Sequence, residues 1–326
     1  MVTTTPPAPA TGRRPPLAVV ALALAAAAVL VQVVHPLLSG GALTTATSLA
    51  VVLFCAAALA DAARRFSPAT AAGVLAAAGG LGLLAEAVGT RTGLPFGDYS
   101  YTGSLQPEVL GVPLVVPLAW TMMAYPMLLA GRSLAPPGSW VAVPVAALGL
   151  ASWDLFLDPM MVGAGHWTWA DPSPALPGVP GIPLTNYAGW LLVALVISAV
   201  LHRLVPDPRR PRPRRRGGAV AGARVHGTER ARGAAELAVP ALLLGWTWLG
   251  STVEALVFAG RPWVALWGFV VMGAVVAPTL AHWLWASSSL RSRPQARPGA
   301  RPGARPGARP GARAGRPSAP HPTRRP

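Results

Sequence analysis

The chain has 326 residues, is 52% hydrophobic with a mean hydropathy of +0.46, and carries a formal charge of +16. Only 12% of its residues are charged, and a soluble globular domain does not combine those values. All 27 basic residues are arginine.

The hydrophobic residues fall in runs of about 18 to 24, the length that crosses an apolar core of about 30 Å at about 1.5 Å per residue. In chain order they predict eight spans: Leu17–His35, Leu43–Asp61, Pro68–Gly89, Pro113–Gly131, Trp140–Leu157, Leu184–His202, Glu236–Ala259 and Trp263–Ala286. The fold class expected is all-α, a polytopic integral membrane helix bundle. Met1–Pro16 is rich in Thr, Pro and Ala and is expected to be disordered. Arg13-Arg14 precedes the first run, but the run is long and further spans follow at once, so it reads as a retained anchor. The predicted organisation is a six-helix core over 17–202 with a motif region at 86–190, and an Arg-rich linker at 203–235. A final helix pair (236–286) and a disordered tail (287–326) with tandem Arg-Pro-Gly-Ala repeats complete it.

An eight-span count puts 25 of the 27 arginines on one side, leaving only Arg91 and Arg261 on the other. Positive loops stay cytoplasmic, so both termini are expected there, in the cell membrane, with the motif region at the outer helix ends. The basic linker and tail read as topology determinants or as contacts to anionic headgroups, at about 1 kcal/mol per residue near the surface. No nucleic-acid partner is expected.

Cys55 is alone in an apolar run, and the six histidines form no His-box or zinc pattern, so neither a disulfide nor a metal site is expected. No phosphate loop or dinucleotide fingerprint is present, and no cofactor is expected.

Between Phe96 and Trp190 the composition changes to Trp, Tyr, Asp, Asn, Pro and Gly. Carboxylates inside a bilayer are costly and face the bundle interior, usually for function. Glu86, Asp154 and Asp158 are the candidates for catalysis; Glu254 is a further acid within a span. Asp154 and Asp158 are four residues apart and share a helix face. Pro159 is expected to end that helix, and Asp158 alone reads equally well as a helix terminus at the interface. An interhelical hydrogen bond is the structural alternative for Glu86. Trp140, Trp263, Trp283 and Trp285 are read as interfacial belt residues. Tyr99, Tyr101, Trp120, Trp153, Trp167, Trp169, Asn186 and Trp190 are read as a substrate pocket, with Tyr99 and Tyr101 pointing the same way along an extended segment.

The motifs FGDYSY from Phe96, GVPL from Gly111, PLAW from Pro117, WDLFLDP from Trp153, WTW from Trp167 and GIPLTNYAGW from Gly181 occur in one order. Together they resemble the carotenoid biosynthesis family that includes the CruF-type carotenoid hydratases. The Pro-rich segment between Trp169 and Gly181 departs from the pattern, lacking the Gly-Tyr expected before Gly-Ile-Pro. The resemblance implies hydration of a terminal isoprenoid double bond of an acyclic carotenoid. The partners would be that carotenoid, the bilayer and other carotenoid-pathway enzymes.

The chemistry agrees with those residues. Hydrating a trisubstituted alkene needs an acid able to protonate carbon, tolerance of a tertiary cation and one positioned water. A carboxyl in an apolar setting can serve as general acid, and indole and phenol faces stabilise a cation. Asp154 is the expected acid, with Glu86, Asp158 and Asn186 orienting water or relaying protons. Two other readings compete. One is a membrane prenyltransferase using Asp154 and Asp158 with Mg²⁺; the other is a transporter or lipid-binding protein with a proton relay.

Overall fold

A computed structural model describes residues 16–209 and 237–291. The expected disordered amino-terminal segment, most of the Arg-rich linker and the repeat tail lie outside the described residues. Eight helical units follow one another among those described. They are α1 (Leu17–Val34), α2 (Gly40–Arg65), α3 (Pro68–Thr92), α4 (Val115–Leu134), α5 (Ala142–Gly163), α6 (Leu184–Leu204), α7 (Ala238–Phe258) and α8 (Pro262–Arg291). The protein is an all-α polytopic membrane bundle.

Seven of the eight are long and apolar enough to cross a membrane, and α4 is the exception. Its Trp120, Thr121, Tyr125, Pro126 and Arg132 dilute its hydropathy, and all are buried, as is every residue from Ala119 to Arg132. Helix α4 is the axis of the bundle, packed by α2 and α5. A helix that meets protein on all sides need not be apolar enough for lipid. The outer helices show the opposite pattern: Leu30, Leu84, Leu192, Val270 and Leu284 all point outward and are exposed. Large outward apolar faces on so many helices suit hydrocarbon rather than water. Inside, small residues let backbones approach: Ala21, Ala25 and Ala28 of α1 are fully buried where α1 meets α2.

The helix bounds differ from expectation by a few residues, with one informative case. Pro159 does not end α5, which continues to Gly163. Proline forfeits its own N–H and crowds the carbonyl four residues back, but leaves the following turn free to form. That turn is held by backbone bonds from Ala164 to Met160 (2.9 Å) and from His166 to Met161 (3.0 Å), and by Arg261, which donates to the Pro159 carbonyl. Trp283 is a second correction. It is 5% exposed, with its indole N–H donating to Ser133 Oγ at 2.7 Å, so it bridges α8 to α4 instead of lying in a belt. Trp140, Trp263 and Trp285 are exposed.

Short strands close one end of the bundle. β1 (Tyr99–Tyr101) lies in the loop after α3, followed by β2 (Glu108–Val109) and β3 (Val112–Pro113), which form a hairpin. β4 (Trp167–Trp169), β5 (Ala175–Leu176) and β6 (Val179–Pro183) lie in the loop after α5. β1 pairs antiparallel with β4, setting Tyr99 opposite Trp169 and Tyr101 opposite Trp167. Side chains alternate along a strand, so these four rings share the inward face while Ser100 and Thr168 face out. Tyr99 stacks on Trp169 (5.6 Å) and Tyr101 meets Trp167 edge-on (5.7 Å), an aromatic lid of about 0.5–1.5 kcal/mol per pair beyond burial.

Candidate active site

Beneath the lid, α3 delivers Glu86, 5% exposed, into a cage of donors. Trp120 of α4 donates its indole N–H to Glu86 Oε1 at 3.1 Å. Tyr101 donates to Oε2 at 2.8 Å, and Tyr99 donates to the same oxygen. The alternation of β1 explains how both phenols reach one atom. Burial first, then the neighbouring Glu86, push both phenols upward, so they stay protonated donors. Trp120 can lie flat against α3 because residue 82 is glycine: a Cβ there would come within 2.6 Å of the ring. The other face of Trp120 stacks on Trp190 at 4.0 Å, and Trp153 meets Trp190 edge-on at 6.0 Å.

The second carboxyl group is a pair. Asp154 and Asp158, one turn apart on α5, are 0% and 3% exposed. Asn186 of α6 donates its side-chain amide to Asp154 Oδ2 at 2.8 Å and to Asp158 Oδ2. Trp167 of β4 donates to Asp158 Oδ1 at 3.1 Å. Asp154 Oδ1 and the Tyr187 hydroxyl are buried with no hydrogen-bond partner among the described residues. Asp158 is therefore no helix terminus at an interface; it is an interior group on α5 reached from two other elements, α6 and β4.

One cavity of about 140 Å³ joins these features. Glu86, Asp158 and Asn186 form part of its wall, as do Tyr99, Tyr101, Trp120, Trp153, Trp167, Trp169 and Trp190. Phe96, Val115, Ala119 and Met122 complete an apolar interior. Asp154 is the one candidate that does not reach the wall; it sits behind Asp158. The lid's outer edge is pinned by Trp169, which donates to the Phe96 carbonyl at 2.9 Å, and by Ser104, 2.8 Å from His166 Nδ1. Burial, and then the charge of His35, hold the His166 imidazole below its ordinary value.

Four further polar residues on the same wall escaped the sequence reading: Gln32, His35, Thr47 and Ser251, beside Glu254. His35 looked like an ordinary helix-end histidine, and the only signal was Glu254 inside an apolar span. The buried Asp61 was also missed. It pairs with Arg64 (2.6 Å) and accepts from Tyr125 (2.9 Å), joining the carboxyl-terminal part of α2 to the middle of α4. Among the described residues, no group of three or more His, Cys, Asp or Glu side chains is placed to hold a metal ion.

Comparison with known proteins places the chain. A model of the carotenoid biosynthesis protein family matches residues 43–223, and the chain belongs to that family. It is also similar to bisanhydrobacterioruberin hydratase of Haloarcula japonica, 37% identical over 113 residues. That alignment covers 33% of this chain and 36% of the relative, so it spans about a third of either protein. No solved structure matches the chain.

Proposed function

We propose that the protein hydrates a terminal double bond of an acyclic carotenoid, in the cell membrane, without a cofactor. The observation that carries this reading is the joining of Glu86, Asp158 and Asn186 to a ring of indoles and phenols on one apolar cavity. A cavity of roughly 150 Å³ lined by apolar groups takes up benzene, so the space here suits one isoprenoid end unit. The similarity to a bisanhydrobacterioruberin hydratase supports the same chemistry.

Asp158, on the wall, is the group placed to give a proton to the less substituted alkene carbon. The π electrons form the new C–H bond and leave a tertiary cation. Trp153 and Trp190 line the cavity beside Trp120, and a desolvated cation over an indole face gains about 2 kcal/mol. Water then forms the C–O bond, loses its extra proton to a base, and leaves the tertiary alcohol. Asp154, behind Asp158 and tied to the same amide, passes a proton forward to restore the acid. Glu86 is held rigidly by three donors and fixes the lid and Trp120 around the reacting end.

The prenyltransferase reading loses support from the arginines. A diphosphate needs several cations beside the acids, and on the expected outer side the sequence offers only Arg91 and Arg261, each of which already donates to backbone carbonyls. The test is expression in a host that accumulates an acyclic carotenoid, with mass spectrometry of the pigments. One added water per modified end, its oxygen drawn from labelled water and its formation insensitive to EDTA and to anaerobiosis, is the expected result. Label from O₂ would show a hydroxylase and end this reading.

A further inference from the structure

The cavity has a second polar wall, built by α1, α2 and α7, which hold none of the residues assigned above. His35, just past α1, has Nδ1 3.1 Å from Glu254 Oε1 and Nε2 2.9 Å from Thr47 Oγ1. The Thr47 hydroxyl spends its proton on the Leu43 carbonyl at 3.0 Å, so it accepts from His35 and fixes a proton on Nε2. Nδ1 therefore faces the Glu254 carboxyl across a bond that one proton can occupy from either side. Glu254 opens the π-helical turn Glu254–Phe258 that ends α7, an irregularity often found at functional sites. Gln32, one turn before His35, has a buried side-chain oxygen with no partner among the described residues.

His35, Thr47 and Glu254 also wall a second cavity of about 260 Å³. Its remaining wall includes Gly163, Ala164, Ala259 and Arg261, at the ends of α5 and α7 and the start of α8. At about 30 Å³ per molecule of liquid water it is roomy enough for several waters. The His35–Glu254 pair is thus a partition between a vestibule at the bundle end, walled by Arg261 among apolar residues such as Leu38, Leu43 and Phe258, and the aromatic cavity.

We propose that this partition is the water site of the enzyme: Gln32, His35 and Glu254 take a water from the vestibule and present it to the carbocation. The inference rests on the hydration reading. When the water oxygen forms its bond to the tertiary carbon, the surplus proton passes to the His35–Glu254 pair and leaves through the vestibule. Asp158 has meanwhile given one proton to carbon and regains one through Asp154, so the turnover consumes one water and no net proton. The acid and the water site are supplied by different helices and face one another across the same cavity. Gln32, His35 and Glu254 all lie outside the stretch 43–223 matched by the family model.

The test uses the full chain reconstituted in liposomes with an acyclic carotenoid. His35→Ala and Glu254→Ala are each expected to lower hydration per folded protein by about 10² or more. Bound pigment should stay at the wild-type amount. Added imidazole for His35→Ala, and formate for Glu254→Ala, should restore about tenfold or more of the lost rate, because each small base fits the space vacated. Glu254→Gln, which keeps shape but takes no proton, should be as slow as Glu254→Ala; it carries the test if the alanine variants do not fold. Wild-type rates in these variants would overturn the assignment. So would hydration lost together with bound pigment, or lost without rescue by the small base. A wild-type protein that adds no water overturns the hydration reading itself, before any variant is measured.

Discussion

Asn186 Nδ2 stands 2.8 Å from Asp154 Oδ2, across 32 residues of chain and the whole β4–β6 loop. The same amide also reaches Asp158, so one neutral side chain on α6 fixes both acids of α5. Two carboxyls one turn apart on a helix would otherwise swing away from each other.

Asn186→Leu should therefore damage both stability and chemistry. It removes two hydrogen bonds and leaves two buried carboxyls short of a donor, at about 1–3 kcal/mol for a group left unsatisfied. The thermal midpoint of the purified protein should fall, and pigment conversion should drop more than the folded fraction does. Asn186→Gln, which keeps an amide but adds a methylene, should retain more fold than activity. Equal conversion per folded protein in both variants would leave Asn186 as a packing residue.

How much of this was legible in the sequence follows from the kind of signal each residue gives. The span pattern yields the helices because lipid-facing surfaces must be apolar along their whole length. The axis α4 is the weakest case for the same reason: buried in protein, it is free to carry Trp120, Tyr125 and Arg132. Tyr99 and Tyr101 show their common direction through strand alternation, and Asp154 and Asp158 through helical spacing. Their partners are not readable that way. Nothing local says that Trp167 reaches back to Asp158, or that His35 meets Glu254 across 219 residues. Local spacing assigns a face; it does not say which other helix occupies it, and so the depth ordering of Asp154 behind Asp158 emerges only from the packed bundle.

The Glu86 cage predicts graded losses. Tyr101→Phe deletes one donor to Oε2 at about 0.5–1.5 kcal/mol, while the Tyr99→Phe, Tyr101→Phe double variant strips that oxygen of both phenols. The double variant should lose more stability than the two single losses added, since the first phenol deleted leaves its neighbour in place. Gly82→Ala attacks the cage from the other side by pushing Trp120 off α3, at about 1–3 kcal/mol for an overpacked contact. Tryptophan fluorescence and thermal melts of the two single phenylalanine variants, the double variant and Gly82→Ala check this, and a Gly82→Ala protein with wild-type stability would mean that Trp120 is free to move.

Topology can be read independently of chemistry. If α4 crosses the membrane with the seven apolar helices, 25 of the 27 arginines fall on one side, and reporter fusions after residues 210 and 326 should both read cytoplasmic. A fusion near Glu108, in the β2–β3 hairpin beside the lid, should read extracytoplasmic. A cytoplasmic signal there would invert the protein and place lid and cavity mouth on the other side of the membrane.

The division of labour between the two aspartates gives the sharpest test of the chemistry. Asp158 borders the cavity and Asp154 does not, so the proton that reaches carbon should come from Asp158. Asp158→Asn keeps shape and can still accept from Trp167, but it has no acidic proton to give. Loss of a general acid costs about 10² to 10⁴ in rate, and conversion per folded protein should fall by that much. Asp154→Asn removes the group that restores Asp158 and should slow turnover less, with the first turnover after substrate addition spared relative to the steady state. Glu86→Gln should lower stability more than either, because three donors converge on that carboxyl. Pigment conversion, membrane protein level and melting midpoint, measured side by side for the three variants, separate these outcomes. Conversion that collapses in Asp154→Asn and survives in Asp158→Asn would reverse the roles of the pair. Near-wild-type conversion in both would leave the reaction with no proton donor among these residues, and the acid-catalysed mechanism would have to be abandoned.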